Sequence, residues 1–234
     1  MSAVPVQSAK QALRRAINRR LKAVPPAEVT QDSAAVVAHV LASPWYKRAR
    51  NISCYLSTPT GEVNTDGIIL DALNSGKSLF VPFCPIDEPT VMRMLRLRSV
   101  AHFEGLKLNR WGIRELDPEE VELLEDGEAR SSRATPRTLL TLLTVEHESA
   151  GGLDLILVPG LAFDKQKRRL GHGRGYYDRY IEATQDYATR FNKPSPFTAA
   201  LALRAQIVGE DEVLPTNELD KLPDVLVTPD EEIH

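Results

Sequence analysis

Between Asp164 and Arg179 the chain sets six lysines and arginines against two aspartates, with glycines at 171, 173 and 175. The local excess of four positive charges stands in a chain whose net charge is -3. Glycines let a backbone approach an anion closely, and cations beside them neutralise it, so this stretch suits a polyanion such as a nucleotide phosphate. The spacing Gly171-x-Gly173-x-Gly175 is not that of a dinucleotide-binding loop, whose third glycine comes one residue later. No Gly-Lys-Ser/Thr follows, so it is not a Walker A loop. Taken alone, the three glycines also describe a surface turn with solvated arginines.

A phosphate loop needs a strand that ends beneath it and a helix that begins after it. Leu155, Ile156, Leu157 and Val158 form a branched apolar run that reads as a buried strand, stopped by Pro159-Gly160. Tyr176 to Ile181 reads as the helix. At the other end of the chain, Lys10 to Lys22 carries six basic residues on a helical pattern whose apolar stripe is Leu13, Ile17 and Leu21. Lys10 and Arg14 lie at i and i+4 on one face and can reach the same anion. Residues 1–27 hold no acidic residue, a composition that also fits a mitochondrial presequence or a nucleic-acid-binding helix. The folded helix is the preferred reading.

The remaining elements alternate. Pro26 to Ala42 reads as a helix ending near Pro44, and Ile52 to Leu56 as a strand. Asn64 or Thr65 caps a helix that runs to Asn74, with Gly76 at its end. Ser78 to Phe83, Leu153 to Val158, Thr198 to Leu203 and Asp224 to Thr228 read as strands, and Val91 to Leu97 as a half-exposed one. This order predicts the α/β class, a mostly parallel sheet with helices on both faces. With 234 residues, 42% of them hydrophobic, one domain over 1–234 is expected. The pattern weakens between Pro118 and Gly152, read as a surface insertion near 127–150.

Cys54 and Cys84, outside any metal-ligand spacing, are expected to be buried reduced thiols in a reducing compartment. No apolar run approaches the ~20 residues that span a bilayer. The mild negative charge argues against nonspecific nucleic-acid binding.

The string LGHGRGYYD from Leu170 to Asp178, with PGLAFD from Pro159 to Asp164 before it, closely resembles the signature of the 5-formyltetrahydrofolate cyclo-ligase (5,10-methenyltetrahydrofolate synthetase) family. Weaker agreement covers Lys10 to Arg14, Ile52 to Glu62, Phe80 to Pro82, Trp111 to Ile113 and Asp220 to Val225. The resemblance implies a three-layer α/β fold of the ribose-5-phosphate isomerase and CoA transferase type. It implies ATP-dependent conversion of 5-formyltetrahydrofolate to 5,10-methenyltetrahydrofolate, ADP and phosphate, with Mg2+ as cofactor. The expected partners are these small molecules, bound by a cytoplasmic monomer that takes neither nucleic acid nor membrane. Members of the family are shorter near the 127–150 insertion.

Carried over residue by residue, the resemblance makes Lys10, Arg14, Arg169, Gly171, His172, Gly173, Arg174, Gly175, Tyr176 and Tyr177 the ATP-binding set, with Lys10 and Arg174 catalytic. Leu56, Glu62, Trp111, His172, Gly173, Arg174, Gly175 and Tyr176 form the folate-binding set. Asp178 and Asp220 are the implied Mg2+ ligands. Plainer roles stand beside these. Asp178 would also favour the dipole of the helix it opens, and Asp224 competes with Asp220 for the second metal position. Glu62 can accept two hydrogen bonds from an aminopyrimidine edge, or it is a solvated turn residue after Pro59-Thr60-Gly61. His172 stands where relatives carry Arg or Tyr, so it is expected to face solvent or phosphate and not to transfer a proton. Trp111 walls the site or belongs to the core.

A formamide is a poor electrophile, and phosphorylating its oxygen makes a leaving group that N10 can displace. The implied reaction therefore needs alignment, charge neutralisation and exclusion of water, with no enzyme nucleophile. This agrees with the lack of a Gly-x-Ser-x-Gly or catalytic-cysteine signature. Two other classes remain: an ATP-independent sugar-phosphate isomerase or CoA-transferase relative, and a nucleic-acid-binding protein, for which interleaved aromatics are missing.

Overall fold

The computed structural model describes residues 6–85, 91–117, 152–209, 212 and 214–234. The expected insertion near 127–150 lies outside them. The chain begins with α1 (Val6–Lys22), α2 (Pro26–Ala42), α3 (Pro44–Arg48), β1 (Asn51–Ser53), α4 (Asp66–Asn74) and β2 (Ser78–Phe83). Next come β3 (Arg93–Leu97), α5 (Val100–Gly105), β4 (Lys107–Leu108), β5 (Arg114–Glu115), β6 (Leu155–Val158), β7 (Ala162–Phe163) and β8 (Arg169–Leu170). Then follow α6 (Tyr176–Arg190), β9 (Phe197–Leu201), a 3-10 turn (Arg204–Gln206), β10 (Val225–Val227) and β11 (Glu232–Ile233).

Among the described residues seven strands form one sheet in the order β11-β10-β9-β6-β1-β2-β3. The five central strands run parallel, and β11 and β3 close the two edges antiparallel. Parallel neighbours need crossovers, and helices supply them, so both faces are covered. Leu155 and Leu157 of β6 pack in one core cluster with Val36, Val40, Ile68 and Ile69 of α2 and α4. Ile156 and Val158 pack on the opposite face with Tyr180 and Ile181 of α6. A strand covered on both faces has no polar side, and that is why this segment reads as an unbroken apolar run. The mostly parallel three-layer α/β arrangement expected from the sequence is the one observed.

Several elements differ from the sequence reading, each for a local reason. The strand expected over Ile52 to Leu56 ends at Ser53. Beyond the Cys54 N–H, which bonds to the Phe80 carbonyl at 2.9 Å, the chain leaves the sheet. It then carries the turn that bears Glu62. Pro44 starts a helix instead of merely ending one: it sits at N1 of α3, where a missing N–H costs nothing, and Ser43 Oγ accepts the Tyr46 N–H. β3 is an edge strand with only Arg96 exposed, so it is less open than its alternation implied. Helix α1 is built into the fold, its Ile17 and Leu21 buried in a cluster with Leu161, Leu170 and Val208.

Candidate active site

Strand β6 ends at Pro159-Gly160, and the segment after it is not an open loop. β7 and β8 pair antiparallel, Ala162 with Leu170 and Phe163 with Arg169. The hairpin is closed from inside by Asp164, 3% exposed, whose carboxylate accepts the Gln166 and Arg168 N–H groups and the Arg168 Nε at 2.6 Å. Buried Gln206 donates to the Gly160 carbonyl at 2.5 Å and pins the base. The hairpin thereby delivers Gly171 to Gly175 to the start of α6, whose N-cap Gly175 is left-handed (φ 64°).

An ion pair ties α1 to the segment before β10, and a hydrogen bond ties it to the glycine loop. Lys10, 5% exposed, reaches both oxygens of Asp220, at 2.5 and 2.8 Å. Arg14, one turn further along α1, donates from Nε to the Gly171 carbonyl at 2.8 Å. Its guanidinium lies where a side chain on Gly173 (φ 106°) would come within 3.2 Å of Cζ, so the glycine admits the arginine. Arg169 donates to Asp178 Oδ1 at 2.5 Å and to the Pro159 carbonyl at 3.3 Å. The same Asp178 oxygen accepts the Lys221 N–H at 3.2 Å, and Lys221 follows Asp220 directly. Asp178 and Asp220 are thus brought into one neighbourhood. Asp224 is not: its Oδ2 accepts the Thr198 N–H at 2.7 Å and hydroxyl at 2.8 Å, which ties it to the start of β9. Of the two aspartates, Asp220 is the one that lies beside the residue bonded to Asp178.

Glu62 is 7% exposed, so it is not a solvated turn residue. Its Oε2 accepts the Thr58 N–H at 3.1 Å, and its Oε1 lies 3.2 Å from His172 Nε2. His172 therefore faces a carboxylate as well as solvent, which its position in the glycine loop gave no means to foresee. Leu56 is buried in the main core cluster, two residues before Thr58. Tyr177 turns inward against both large clusters, and its hydroxyl is buried without a hydrogen-bond partner. Burial above all, with Cys54, Tyr180, Glu62 and Cys84 around it, pushes that hydroxyl well above the usual tyrosine range.

Tyr176 is half-buried against the second of these clusters. Arg174 donates to its hydroxyl at 3.4 Å, and the Arg179 guanidinium stands 5.7 Å from its ring centre. The half-buried thiol of Cys84, just past β2, is raised by burial, then by Glu115 of β5, and lowered by Arg174. The Cys84 thiol thus feels one charge from the β4–β5 hairpin and an opposite one from the glycine loop. Trp111, in the turn of that hairpin, is 61% exposed and so is no core residue. Sequence reasoning missed Thr58, Cys84 and the Lys221 N–H as parts of this surrounding. Two act through the backbone, which leaves no mark on residue type.

Asp178 and Asp220 would be the carboxylates available to a magnesium ion, and in this structure each is paired with a cation, Arg169 and Lys10 respectively. Among the described residues no three His, Cys, Asp or Glu side chains gather as a ready-made metal cage. Mg2+ keeps several waters and takes one or two carboxylates beside substrate phosphates, which is what this donor set offers.

A profile of the 5-formyltetrahydrofolate cyclo-ligase family matches residues 6–229. The chain is 34% identical over 227 residues to the 5-formyltetrahydrofolate cyclo-ligase of Mus musculus, covering 97% of each. It is 34% identical over 226 residues to the mitochondrial 5-formyltetrahydrofolate cyclo-ligase of Arabidopsis thaliana, covering 94% of this chain and 74% of that one. In fold it is similar to the 5,10-methenyltetrahydrofolate synthetase structure from Aquifex aeolicus, with a TM-score of 0.62, 24% identity and coverage of 95% and 91%.

Proposed function

Because the chain belongs to the 5-formyltetrahydrofolate cyclo-ligase family, we propose that it uses ATP to close 5-formyltetrahydrofolate to 5,10-methenyltetrahydrofolate, releasing ADP and phosphate. The observation that carries this reading is the 3.2 Å approach of His172 to Glu62. It sets a cationic glycine loop against a buried carboxylate, one suited to phosphate and the other to a hydrogen-bond-donating ring.

Each step then has a residue to serve it. The loop N–H groups, Arg14 and Arg174 hold the triphosphate so that its γ-phosphorus lies in line with the formyl oxygen. Lys10 and Arg174 neutralise the charge that develops on the transferring phosphoryl group. Glu62 accepts hydrogen bonds from the amino edge of the pterin and fixes its orientation. N10 attacks the activated formyl carbon and loses its proton, and the C–O bond breaks as the formyl oxygen leaves with the phosphate. Tyr176 and Trp111 cover the folate and help keep water from that intermediate. Mg2+ held by Asp178 and Asp220 would supply charge neutralisation on the phosphate oxygens.

Helix α1 is read as a working part of this fold, in the cytoplasmic protein, and not as a removable targeting segment. Ile17 and Leu21 of its apolar stripe are buried, and its first two cations contact Asp220 and the loop. The test is direct. Purified protein with 5-formyltetrahydrofolate, Mg2+ and ATP should generate the absorbance of methenyltetrahydrofolate, and nothing without ATP. No absorbance with all three present would sink the proposal.

A further inference from the structure

The imidazole of His172 sits between the two halves of the proposed site. Its backbone belongs to the glycine loop, between Gly171, whose carbonyl accepts Arg14 Nε at 2.8 Å, and Gly173, against which the Arg14 guanidinium lies. Its Nε2 is 3.2 Å from Oε1 of Glu62, on the turn after β1. A carboxylate accepts, so Nε2 is the donor, and that nitrogen has one proton to offer. The other Glu62 oxygen takes the Thr58 N–H at 3.1 Å. Both oxygens of this carboxylate are therefore engaged from within the protein. The His172 side chain is more than half exposed, whereas Glu62 is buried, so the histidine is the partner free to swing away.

We propose that His172 couples the two subsites: a triphosphate at the glycine loop draws the imidazole N–H away from Glu62, and the released carboxylate binds the pterin more tightly. The proposal rests on the assignment of phosphate to the loop and folate to Glu62. One N–H cannot serve both acceptors. A triphosphate offers several anionic oxygens on the very loop that carries His172, so it competes well with a single carboxylate. Once His172 turns to it, Oε1 is left to the hydrogen-bond donors of the aminopyrimidine edge. Charge alone gives the opposite sign, because ATP and folate are both anions and repel each other in adjacent subsites. A positive coupling that depends on one side chain is therefore diagnostic. His172 is in this sense a positioning residue, acting on folate through Glu62.

Calorimetry reads the Kd of 5-formyltetrahydrofolate with and without saturating Mg2+ and the β,γ-imido analogue of ATP, which does not transfer its phosphate. In the wild type the analogue should tighten folate binding about tenfold, and folate should tighten the analogue by the same factor. His172→Ala should bind folate alone as tightly as the wild type does with the analogue present, and the analogue should then change that Kd by no more than about twofold. His172→Gln keeps an N–H donor and should keep most of the coupling. If the contact only held Glu62 in place, His172→Ala would bind folate more weakly in both conditions, and that result overturns the proposal. Equal coupling in the wild type and His172→Ala overturns it too, as does coupling lost equally in both variants. A wild type that turns over with ATP yet shows no coupling overturns this proposal alone. Absent turnover in the wild type would overturn the function first and this with it.

Discussion

The ammonium of Lys10 lies 2.5 Å from the carboxylate of Asp220, although 210 residues separate them. The pair ties the first helix to the segment before β10, and it joins a proposed phosphate-binding cation to a proposed metal ligand. Lys10 is nearly buried and Asp220 partly so. Removing one partner of a buried pair costs roughly 3–5 kcal/mol, whereas removing both costs far less.

Lys10→Ala should therefore lower stability and also raise KM for ATP by about tenfold or more. In the double variant Lys10→Ala with Asp220→Ala, thermal stability should recover while ATP affinity does not. Denaturation curves and ATP kinetics on the wild type and the two variants check this. If ATP affinity recovered with stability, Lys10 would be a structural residue only.

Glu62→Gln should raise KM for 5-formyltetrahydrofolate by about tenfold or more with ATP binding spared. The amide keeps the shape, loses the charge, and turns one acceptor into a donor facing the donors of the pterin. Calorimetry with the folate alone reads the loss. Equal affinity in the two proteins would remove Glu62 from the folate site.

Asp178→Asn should shift the Mg2+ requirement upward and lower kcat. It also weakens the pair with Arg169, so some stability is lost in either case. The discriminating readout is a Mg2+ titration at fixed ATP. Superimposed curves for the two proteins would leave Asp178 with only Arg169 and the helix dipole to serve.

The two thiols should differ in reactivity. Burial pushes Cys54 up to about 12, and it is fully enclosed. Cys84 is half-buried and is raised by burial and Glu115 against the opposing Arg174. Alkylation needs the thiolate, so labelling of Cys84 should be slow near pH 7 and accelerate above the ordinary thiol pKa of about 8.5, with Cys54 untouched in the folded protein. Glu115→Gln removes a charge that disfavours the thiolate, and should move the Cys84 rise to lower pH. Peptide mass spectrometry after iodoacetamide pulses would follow both sites. Labelling of Cys54 as fast as Cys84 would contradict the packing around β1.

What the sequence determined by itself is what short-range pattern can encode. Helix α2 over Pro26 to Ala42 and strand β2 over Ser78 to Phe83 have the limits read from proline, polarity and branching alone. The parallel helix-covered sheet followed from alternation, because a strand with two apolar faces must be covered twice. The glycine loop was legible because Gly173 (φ 106°) and Gly175 (φ 64°) take a backbone conformation that favours glycine. Tertiary structure decided which distant groups meet. Glu62 with His172, 110 residues apart, and Lys10 with Asp220 are pairings of unremarkable charges, and nothing in either segment's composition points to its partner. That Asp220 and not Asp224 stands near Asp178 depended on the Lys221 N–H meeting Asp178 while Thr198 holds Asp224. The exposure of Trp111 rested on a turn docked against Pro59. Side-chain type records what a residue can bind, whereas the folded chain fixes what stands within 3 Å of it, and electrostatic and hydrogen-bond energies depend on that distance.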